Sequence, residues 1–441
     1  MQSLDRRKFM TGSLGAASLA MASRGPVRGA NERVVVGIMG LGGRGTRLAE
    51  NFAQRPDVEV AYLCDVDTRR FGRARKAVEA AQRSRPKLVQ DFRKILDDGS
   101  VDALVNATPD HWHALGSILA CQAGKDVFVE KPMVHSIWEG RKMVEAESKY
   151  GRVVQVGMQS RSAPYVRRAR EYIRAGNLGD VHLVRVYNMM QHPKREPVPD
   201  GPVPDGLDWD LWCGPAAKRP YNPGLYWLNY WEYSCGPIAG DLVHQLDLAR
   251  YLIGDPPAPM AASHQGAIYS LKDGRDTPDT QMALYEYDGL TMTMQSTLWT
   301  PYMKKTPGIV RNTDRFPDWP FSSTKVEILG TDGYMYFGRH GGGWQAYDAD
   351  GELVRSEYGR QGNREHQDDF VDCIRTRRKP VADAETGHQS ALLCHLANIS
   401  FRVGNRRLVL DPETESFTGF PEADAYLKRT YRKPWVIPEK I

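Results

Sequence analysis

Three glycines after a run of β-branched residues have a spacing that indicates chemistry. Gly40, Gly42 and Gly45 form the pattern G-x-G-x-x-G. The first glycine of this pattern permits a tight turn, the second lets the backbone approach a pyrophosphate, and the third brings the next helix close to the strand. The helix amides then face the phosphates. We therefore expect a dinucleotide-binding turn that also includes Gly43 and Arg44.

An acidic residue stands where the ribose of such a nucleotide would lie. Asp65 follows the second predicted strand, twenty residues after Gly45. A carboxylate there can accept from both ribose hydroxyls and repels a 2′-phosphate, which predicts NAD rather than NADP as the cofactor. Arg69 and Arg70 lie nearby in the chain and could weaken that preference. The alternative is a structural glycine turn with a capping aspartate.

A lysine follows another predicted strand. Lys131 comes directly after residues 126–129 and Glu130, and it precedes Pro132. Parallel sheets bind ligands at the carboxyl ends of their strands, and hydride transfer from a carbinol needs a group that takes the hydroxyl proton. Burial and a cationic nicotinamide would lower the pKa of Lys131 toward neutrality. We expect a catalytic or substrate-binding lysine, the alternative being a surface lysine before a proline.

These residues lie among alternating strands and helices. Strands are predicted at residues 34–39, 58–64, 103–107, 126–129 and 153–156. This alternation predicts an α/β fold with a doubly wound parallel sheet of the Rossmann type. After Gly157, longer strands and turns such as Asp288-Gly289 predict an α+β domain with a mostly antiparallel open sheet. The predicted divisions are residues 1–30, 31–157 and 158–441, the last including a docked tail.

The first thirty residues have the composition of an export signal. Arg6 and Arg7 precede Phe9 and a weakly apolar stretch rich in Ala, Gly and Ser. This order is typical of a twin-arginine signal, and the stretch is too short to span a bilayer. We expect export to the periplasm with cleavage before Asn31. The alternative is a disordered basic tail with a chance pair of arginines.

The formal net charge of +5 is concentrated in that segment. Residues 1–30 contain five basic residues and one acidic residue, so the remainder is nearly neutral. It therefore lacks the basic footprint of a nucleic-acid-binding protein, and no later segment has the length of a membrane span. The six cysteines lack zinc spacing and the histidines lack the HExxH pattern, so we expect buried thiols and no catalytic metal. The expected partner is a small molecule.

Two further motifs carry a resemblance to a known family. Residues 108–113 read Thr-Pro-Asp-His-Trp-His, and residues 130–132 read Glu-Lys-Pro. Together with the glycine turn and with residues 175–180 and 244–250, they resemble the Gfo/Idh/MocA superfamily, in a bacterial branch with an extended C-terminus. The resemblance implies an NAD-dependent oxidoreductase that acts on a sugar, a sugar derivative or a polyol. It is also compatible with a homo-oligomer as the functional assembly.

The resemblance implies roles for individual residues. His244 falls where the family keeps a catalytic histidine in its second domain, and the family commonly has an aspartate four residues earlier. That position holds Gly240 here, so Asp241, three residues before the histidine, is the candidate replacement. The residues expected beside the cofactor are Thr108, Pro109, His111, His113, Glu130 and Lys131.

An aromatic segment precedes His244. Trp227, Tyr230 and Trp231 could pack against the C–H faces of a sugar, the alternative being buried domain packing. Three functions stay open: net oxidation of a carbohydrate with tightly bound NAD, a redox-neutral glycosidase that oxidises, eliminates and adds water, and a non-catalytic sugar-binding protein. Export favours a retained cofactor, because the periplasm offers no evident pool of NAD. The presence of both Lys131 and His244 disfavours the non-catalytic function.

Overall fold

Two β-sheets organise the chain in the computed structural model, which describes residues 33–311 and 313–441. The first sheet is parallel, with the strand order β3-β2-β1-β4-β5-β6. Its strands are β1 (Val34–Met39), β2 (Val58–Cys64), β3 (Lys87–Val89), β4 (Ala103–Asn106), β5 (Asp126–Val129) and β6 (Val154–Val156). The predicted Rossmann sheet is confirmed, while the short β3 was missed. The proposed export signal lies outside the described residues.

The order of the strands sets where a ligand can bind. The chain turns outward from β1 in one direction through β2 and in the other through β4. Such a reversal leaves a crevice at the carboxyl ends of the strands. The turn after β1, Asp65 after β2, Thr108 after β4 and Lys131 after β5 all lie at this edge.

The second sheet has ten strands in the order β14-β13-β12-β11-β7-β10-β9-β8-β15-β16. All its neighbouring pairs are antiparallel except β7 with β10, which confirms the predicted mostly antiparallel sheet. The strands are β7 (Val181–Met189), β8 (Ala261–Ala267), β9 (Thr280–Tyr287), β10 (Leu290–Thr297), β11 (Lys325–Gly330), β12 (Gly333–Gly338), β13 (Trp344–Asp348), β14 (Leu353–Glu357), β15 (Leu408–Asp411) and β16 (Ser416–Thr418). The predicted hairpin joins β9 to β10, with Gly289 at φ 68°.

Helices cover the sheets and connect the strands. They are α1 (Gly43–Ala53), α2 (Phe71–Ala81), α3 (Arg93–Leu96), α4 (His113–Gln122), α5 (Ile137–Tyr150), α6 (Pro164–Arg174), α7 (Trp209–Cys213), α8 (Val243–Leu252), α9 (Gly308–Arg311), α10 (Asn363–Thr376), α11 (Ala384–Arg402) and α12 (Pro421–Asp424). A π-helix, Ile238–Leu242, leads directly into α8. Asp241 therefore lies in the π-helix and His244 in α8.

The carboxyl ends of three strands of the second sheet lie at the same edge. β7 is parallel to β10, and it is antiparallel to β11, which is in turn antiparallel to β12. β7, β10 and β12 therefore run in the same direction. His192 follows β7, Lys305 follows β10, and Arg339 follows β12. Residues far apart in sequence are thus brought to one edge of the sheet.

Elements from the end of the chain return to the first sheet. Phe370 of α10 packs against Phe52 and Phe128, with ring centroids 6.3 Å and 5.6 Å away. Trp435 packs against Trp112 at 5.0 Å, so the tail is docked as predicted. Residues assigned to the second predicted domain therefore help to form the core of the first.

The remaining expectations about the fold concern thiols and membrane spans. All six cysteines are free and buried, which confirms that they act as small apolar core residues. Within the described part of the chain, no helix is long and apolar enough to cross a membrane. The same residues contain no group of three or more His, Cys, Asp or Glu side chains that could hold a metal ion.

Candidate active site

A cavity of about 490 Å³ lies at the carboxyl ends of the parallel strands. On one side it is lined by the glycine turn and by the loops that follow β2, β4 and β5. On the other side it is lined by residues from 207 to 228, which belong to the second half of the chain. We call this cavity the cofactor cleft. The predicted cofactor residues that line it are Gly40, Gly42, Gly43, Arg44, Asp65, Thr108, Pro109, His113, Glu130 and Lys131.

The glycine turn has the geometry that a dinucleotide requires. Gly40 has φ 89°, and a Cβ atom there would lie 2.7 Å from the Ala107 carbonyl oxygen. A Cβ atom on Gly45 would lie 1.8 Å from the Gly40 carbonyl oxygen, so only glycine lets α1 approach β1 this closely. No atom lies within 3.4 Å of where a Cβ would stand on Gly42 or Gly43. The turn therefore leaves its backbone open to a phosphate.

Asp65 holds the glycine turn and still has lone pairs that can accept hydrogen bonds from a ligand. Its Oδ2 accepts a hydrogen bond from the Leu41 amide at 2.7 Å, and its Oδ1 accepts from the Asp67 amide at 2.9 Å. Burial raises the pKa of the Asp65 carboxyl above its usual value, while these two amides oppose the rise. Each carboxylate oxygen has a second lone pair. Asp65 can therefore accept from ribose hydroxyls while it holds the turn.

The two arginines that could favour NADP are directed at a different carboxylate. Arg69 donates to both oxygens of Asp67, at 2.7 Å and 2.8 Å. Arg70 lies 3.6 Å from Asp67 Oδ2. Asp67 pairs with both cations, while both arginines line the cleft and the charge of Arg70 also lowers the pKa of Asp65. The charge of Asp65 itself disfavours a 2′-phosphate. The geometry supports NAD as the cofactor that the cleft fits.

Lys131 lies where the two halves of the chain meet. Its Nζ donates a hydrogen bond to the carbonyl oxygen of Gly240 in the π-helix. Burial lowers the pKa of Lys131, and the negative charges of Asp241 and Glu130 only partly oppose this. Arg44 Nε donates to Glu130 Oε1 at 2.6 Å, which occupies that carboxylate. Lys131 is therefore a cleft-lining amine that gives up its proton more easily than an exposed lysine does.

The π-helix changes the position of Asp241. The Val243 amide donates to the Ile238 carbonyl five residues earlier, so this turn is wider than an α-helical turn. The carboxylate of Asp241 faces Lys305, at 2.9 Å, and Arg339, at 3.6 Å. Burial raises the pKa of Asp241, but Arg339, Lys305 and Lys131 outweigh it and lower the pKa below its usual value. Asp241 is thus an ionised group near Lys131, as the sequence allowed.

His244 is buried, with 5% of its surface exposed, and it lines neither of the cavities described here. Burial lowers its pKa well below the usual value, and the positive charges of Arg339 and Lys131 add to this effect. The imidazole is therefore neutral. The i+3 neighbour, Asp247, is engaged by Arg161, whose Nε donates to it at 2.8 Å. His244 therefore lies near Lys131, whose charge affects its pKa, but it does not reach the surface of either cavity.

The two histidines of the Thr-Pro-Asp-His-Trp-His motif have different environments. His113 lines the cleft, and its ring nitrogens lie 2.6 Å from the Pro132 carbonyl oxygen and 2.8 Å from that of Thr108. It thereby joins the loops that follow β4 and β5. His111 does not line the cleft, since its nitrogens lie 2.9 Å and 3.3 Å from the carbonyl oxygens of Trp212 and Tyr233. The structure thus places His111 in the packing between the two halves of the chain.

Of the three aromatic residues proposed to bind sugar, one reaches a cavity. Trp227 lines the cofactor cleft. Tyr230 and Trp231 do not: Trp231 Nε1 donates to the Asp276 carbonyl at 2.9 Å, and Arg219 lies over the ring of Tyr230. Both residues are partly exposed, so neither cavity lining nor burial in the domain packing describes them. The sequence offered no signal that separates the three.

A second cavity of about 190 Å³ adjoins the cofactor cleft. Gly240 and Leu228 line both cavities, so the two meet beside Lys131. We call the second cavity the substrate pocket. Its polar lining residues are His192, Tyr226, Asn229, Asp241 and Lys305. Of these, Asp241 was proposed as a site residue from the sequence, and Tyr226 and Asn229 belong to the aromatic segment proposed to bind sugar hydroxyls. His192 and Lys305 were not proposed, because they reach this edge through the topology of the ten-stranded sheet.

Residues 206–228, which we call the cover segment, form one wall of the cofactor cleft. The Thr68 amide and the Gln90 side chain both donate to the Gly206 carbonyl at 3.0 Å. The Asp208 amide donates to the Val66 carbonyl at 3.0 Å. These bonds attach the cover segment to the loops after β2 and β3. Its own side chains, including Trp209 and Tyr221, line the cleft.

The tail holds the cover segment from outside. Arg432 donates to the side chain and the carbonyl of Asp210, at 2.9 Å and 2.6 Å. It also donates to the carbonyls of Gly214, at 3.0 Å, and Ala216, at 3.2 Å. Trp112 donates through Nε1 to the Leu211 carbonyl at 3.1 Å and packs on Trp435. The cleft wall is therefore built from three distant parts of the chain.

Sequence comparisons place this fold and site in a known family. The chain matches the "Oxidoreductase family, NAD-binding Rossmann fold" over residues 34–158, the "GFO/IDH/MocA C-terminal domain" over residues 166–336, and the "Oxidoreductase family, C-terminal alpha/beta domain" over residues 341–437. The chain belongs to the Gfo/Idh/MocA family of NAD-binding oxidoreductases.

Individual relatives are similar over parts of their length. Inositol 2-dehydrogenase of Rubrobacter xylanophilus is 36% identical over 36% of this chain and 45% of its own. A glycosyl hydrolase family 109 protein of Stenotrophomonas maltophilia is 32% identical over 30% of each chain. The matched regions thus span less than half of these two relatives. The aldose-aldose oxidoreductase of Caulobacter crescentus, solved with glycerol, shares the fold with a TM-score of 0.63 at 19% identity, covering 86% of this chain and all of its own.

Replacing Asp65 tests the origin of the preference for NAD. Asp65→Asn keeps an acceptor for the Leu41 amide but removes the charge that repels a 2′-phosphate. We expect the ratio of the NADP and NAD dissociation constants to fall by about tenfold or more, which corresponds to about 1.4 kcal/mol. Titration of nucleotide-free protein measures both constants. Glu59→Gln, on the strand that precedes Asp65, should leave the ratio unchanged, and an unchanged ratio in Asp65→Asn would contradict the assignment.

Replacing Arg432 tests whether the tail retains the cofactor. Arg432→Met removes four hydrogen bonds to the outer side of the cover segment. We expect NAD to dissociate roughly tenfold faster, because loss of such bonds favours an open segment by about 1.4 kcal/mol. Nucleotide released through a size-exclusion membrane gives the rate. Lys433→Met, at the exposed neighbouring residue, is the control; equal rates in the two variants would show that the tail has no such role.

Proposed function

We propose that this protein is an exported oxidoreductase that uses retained NAD to oxidise a hydroxyl group of a sugar, a sugar derivative or a polyol. The observation that carries the proposal is the position of Lys131 where the cofactor cleft meets the substrate pocket. A substrate in the smaller cavity would present its hydroxyl to the amine beside the nicotinamide end of the cleft. The family assignment supports hydride transfer as the reaction type.

Bound NAD supplies the acceptor for the hydride that leaves the carbinol carbon. Lys131, in its neutral form, takes the hydroxyl proton, so that the carbinol becomes a carbonyl group. The hydrogen bond to Gly240 fixes the position of Nζ while the lone pair of the neutral amine faces the substrate. Burial of the Lys131 amine in the cleft favours this neutral form.

Asp241 and His244 act on this lysine from the second half of the chain. The negative charge of Asp241 raises the pKa of Lys131 and so limits the effect of burial. The neutral imidazole of His244 lies close enough to Lys131 and Arg339 for their charges to lower its pKa. We assign Lys131 as the proton acceptor, Asp241 as a positioning residue and His244 as a partner in the proton relay.

The wall that the cover segment and the tail form along the cofactor cleft gives weight to a redox-neutral cycle. The cover segment and the tail favour a cofactor that stays bound, and retained NAD must be returned to its oxidised form within the site. A second sugar could take the hydride back. A glycosidase could do the same by oxidising a sugar hydroxyl, eliminating the glycosidic substituent, adding water and reducing the carbonyl. The partial similarity to a family 109 protein supports this second candidate.

Incubation of the purified mature protein with sugars and glycosides, without added NAD, tests these functions. Net oxidation should reduce the bound nucleotide once per site and then stop, as seen by the absorbance of reduced nicotinamide. A glycosidase should release aglycone over many turnovers. Lys131→Ala and His244→Ala should each lower turnover by about 10²-fold or more with NAD still bound. Near-normal turnover in a folded, NAD-containing Lys131 variant would rule out the proposed proton transfer.

The pH dependence distinguishes the role of Asp241. Because the neutral amine is the active form, sugar oxidation should rise as the pH passes upward through the lowered pKa of Lys131. Asp241→Asn removes a charge that stabilises the protonated amine, so this limb of the pH-rate profile should move to lower pH. The exposed Asp205→Asn serves as control. A profile that keeps its midpoint in Asp241→Asn would show that Asp241 does not act through Lys131.

Export rests on Arg6 and Arg7 in the first thirty residues. Replacing both with lysine should leave the precursor in the cytoplasm, since the twin-arginine pathway requires the pair. Fractionation with an antibody against the mature chain measures the distribution, and Arg24→Lys with Arg28→Lys is the matched control. Unchanged export of the Arg6 and Arg7 variant would remove the argument for cofactor retention that rests on the compartment.

A further inference from the structure

We propose that the substrate pocket selects sugars that carry an anionic group, either a carboxylate or a phosphate, and that Lys305 is the residue that binds it. This inference rests on the proposed function and specifies its substrate class. It is drawn from the balance of charges around the pocket. Lys305 lines the substrate pocket and not the cofactor cleft, so its charge is not explained by the phosphates of NAD.

Several cations converge on one carboxylate. Asp241 has Lys305 at 2.9 Å and Arg339 at 3.6 Å. Lys131 is the third positive group near enough to affect the pKa of Asp241. Lys305 and Arg339 both face Asp241, whose single negative charge can offset only one of them. Arg339 does not line the pocket, so the positive charge that remains lies beside the pocket as well as in it.

Further cations lie around the mouth of the pocket. Arg195 lies over the ring of Tyr226, at 4.1 Å from its centroid. Burial lowers the pKa of His192, and the positive charges of Arg275, Lys305 and Arg195 lower it further while Asp241 opposes them. His192 is thus surrounded mainly by positive charge.

Nearby acids do not compensate for this excess. Asp273 accepts from Arg275 through both oxygens, at 2.7 Å and 2.8 Å, so those two charges cancel. Arg311, close enough to lower the pKa of Arg339, adds another positive charge. Lys305 has Asp241 as its carboxylate partner, and Arg195 forms no ion pair within the described part of the chain.

An anionic substituent would supply the missing charge. The Lys305 side chain is 40% exposed, so solvent weakens its Coulombic attraction for an anion, but a hydrogen bond from an ammonium group to a carboxylate or phosphate is about twice as strong as a neutral one. A neutral sugar in the same place would leave the cations uncompensated. We expect a sugar acid or a sugar phosphate to bind at least about tenfold more tightly than the neutral sugar of the same configuration.

Calorimetric titration of the NAD-loaded protein tests this selectivity. Ligands are glucose, galactose and mannose, the corresponding uronic acids, and the corresponding 6-phosphates. At least one acid or phosphate should bind about tenfold more tightly than its neutral partner, and added salt should reduce the difference. Whichever anion is preferred identifies the substituent. Equal affinities within every set, or no binding of any anionic ligand, would overturn the proposal.

Variants at two adjacent lysines locate the effect. Lys305→Met should abolish the preference for the anionic ligand, whereas Lys305→Arg should keep most of it. Lys304→Met changes the same charge one residue away, on an exposed side chain outside both cavities, and should behave like the natural protein. A preference that persists in Lys305→Met, or is lost equally in Lys304→Met, would overturn the assignment of Lys305.

The binding experiment and the test of the proposed oxidation can give different results, so failure of one proposal can be told from failure of the other. Anion-selective binding that depends on Lys305, without reduction of bound NAD by any ligand, would support the pocket and contradict the oxidation. Reduction of bound NAD by neutral and acidic sugars of equal affinity would support the oxidation and contradict the pocket.

Discussion

The hydrogen bond between Lys131 Nζ and the Gly240 carbonyl connects the two halves of this molecule at the point where the chemistry is proposed. A buried amine needs a hydrogen-bond partner, because burial without one costs several kcal/mol. The parallel sheet delivers the lysine at the end of β5, and the π-helix delivers the carbonyl from the other half. The relative position of the two cavities depends on this contact, since Gly240 lines both of them.

One group of charges sets the protonation of several residues. Arg339 lowers the pKa of His244 and of Lys131, and it also keeps Asp241 ionised. The site therefore combines a neutral imidazole and an easily deprotonated amine with a fixed carboxylate. Such separation of pKa values is how proteins make acid and base roles available at one pH.

The sequence predicted those parts of the site that depend on local structure. The glycine turn, Asp65 and Lys131 each follow directly from a strand, so their place at the sheet edge could be inferred from the alternation of strands and helices. Lys305 and Arg339 could not be found in this way, because only the parallel direction of β7, β10 and β12 brings them together. His111 shows the opposite limit: its motif indicated a cofactor residue, but its contacts are with backbone carbonyls between domains.

The contact of Arg432 with the cover segment also determines the order in which the cleft can be assembled. More than two hundred residues separate Asp210 from Arg432. During synthesis, the glycine turn and the cover segment leave the ribosome before the residues that hold the segment from outside. The outer contacts of this cleft wall can therefore form only in chains that have been synthesised through Arg432 and Trp435.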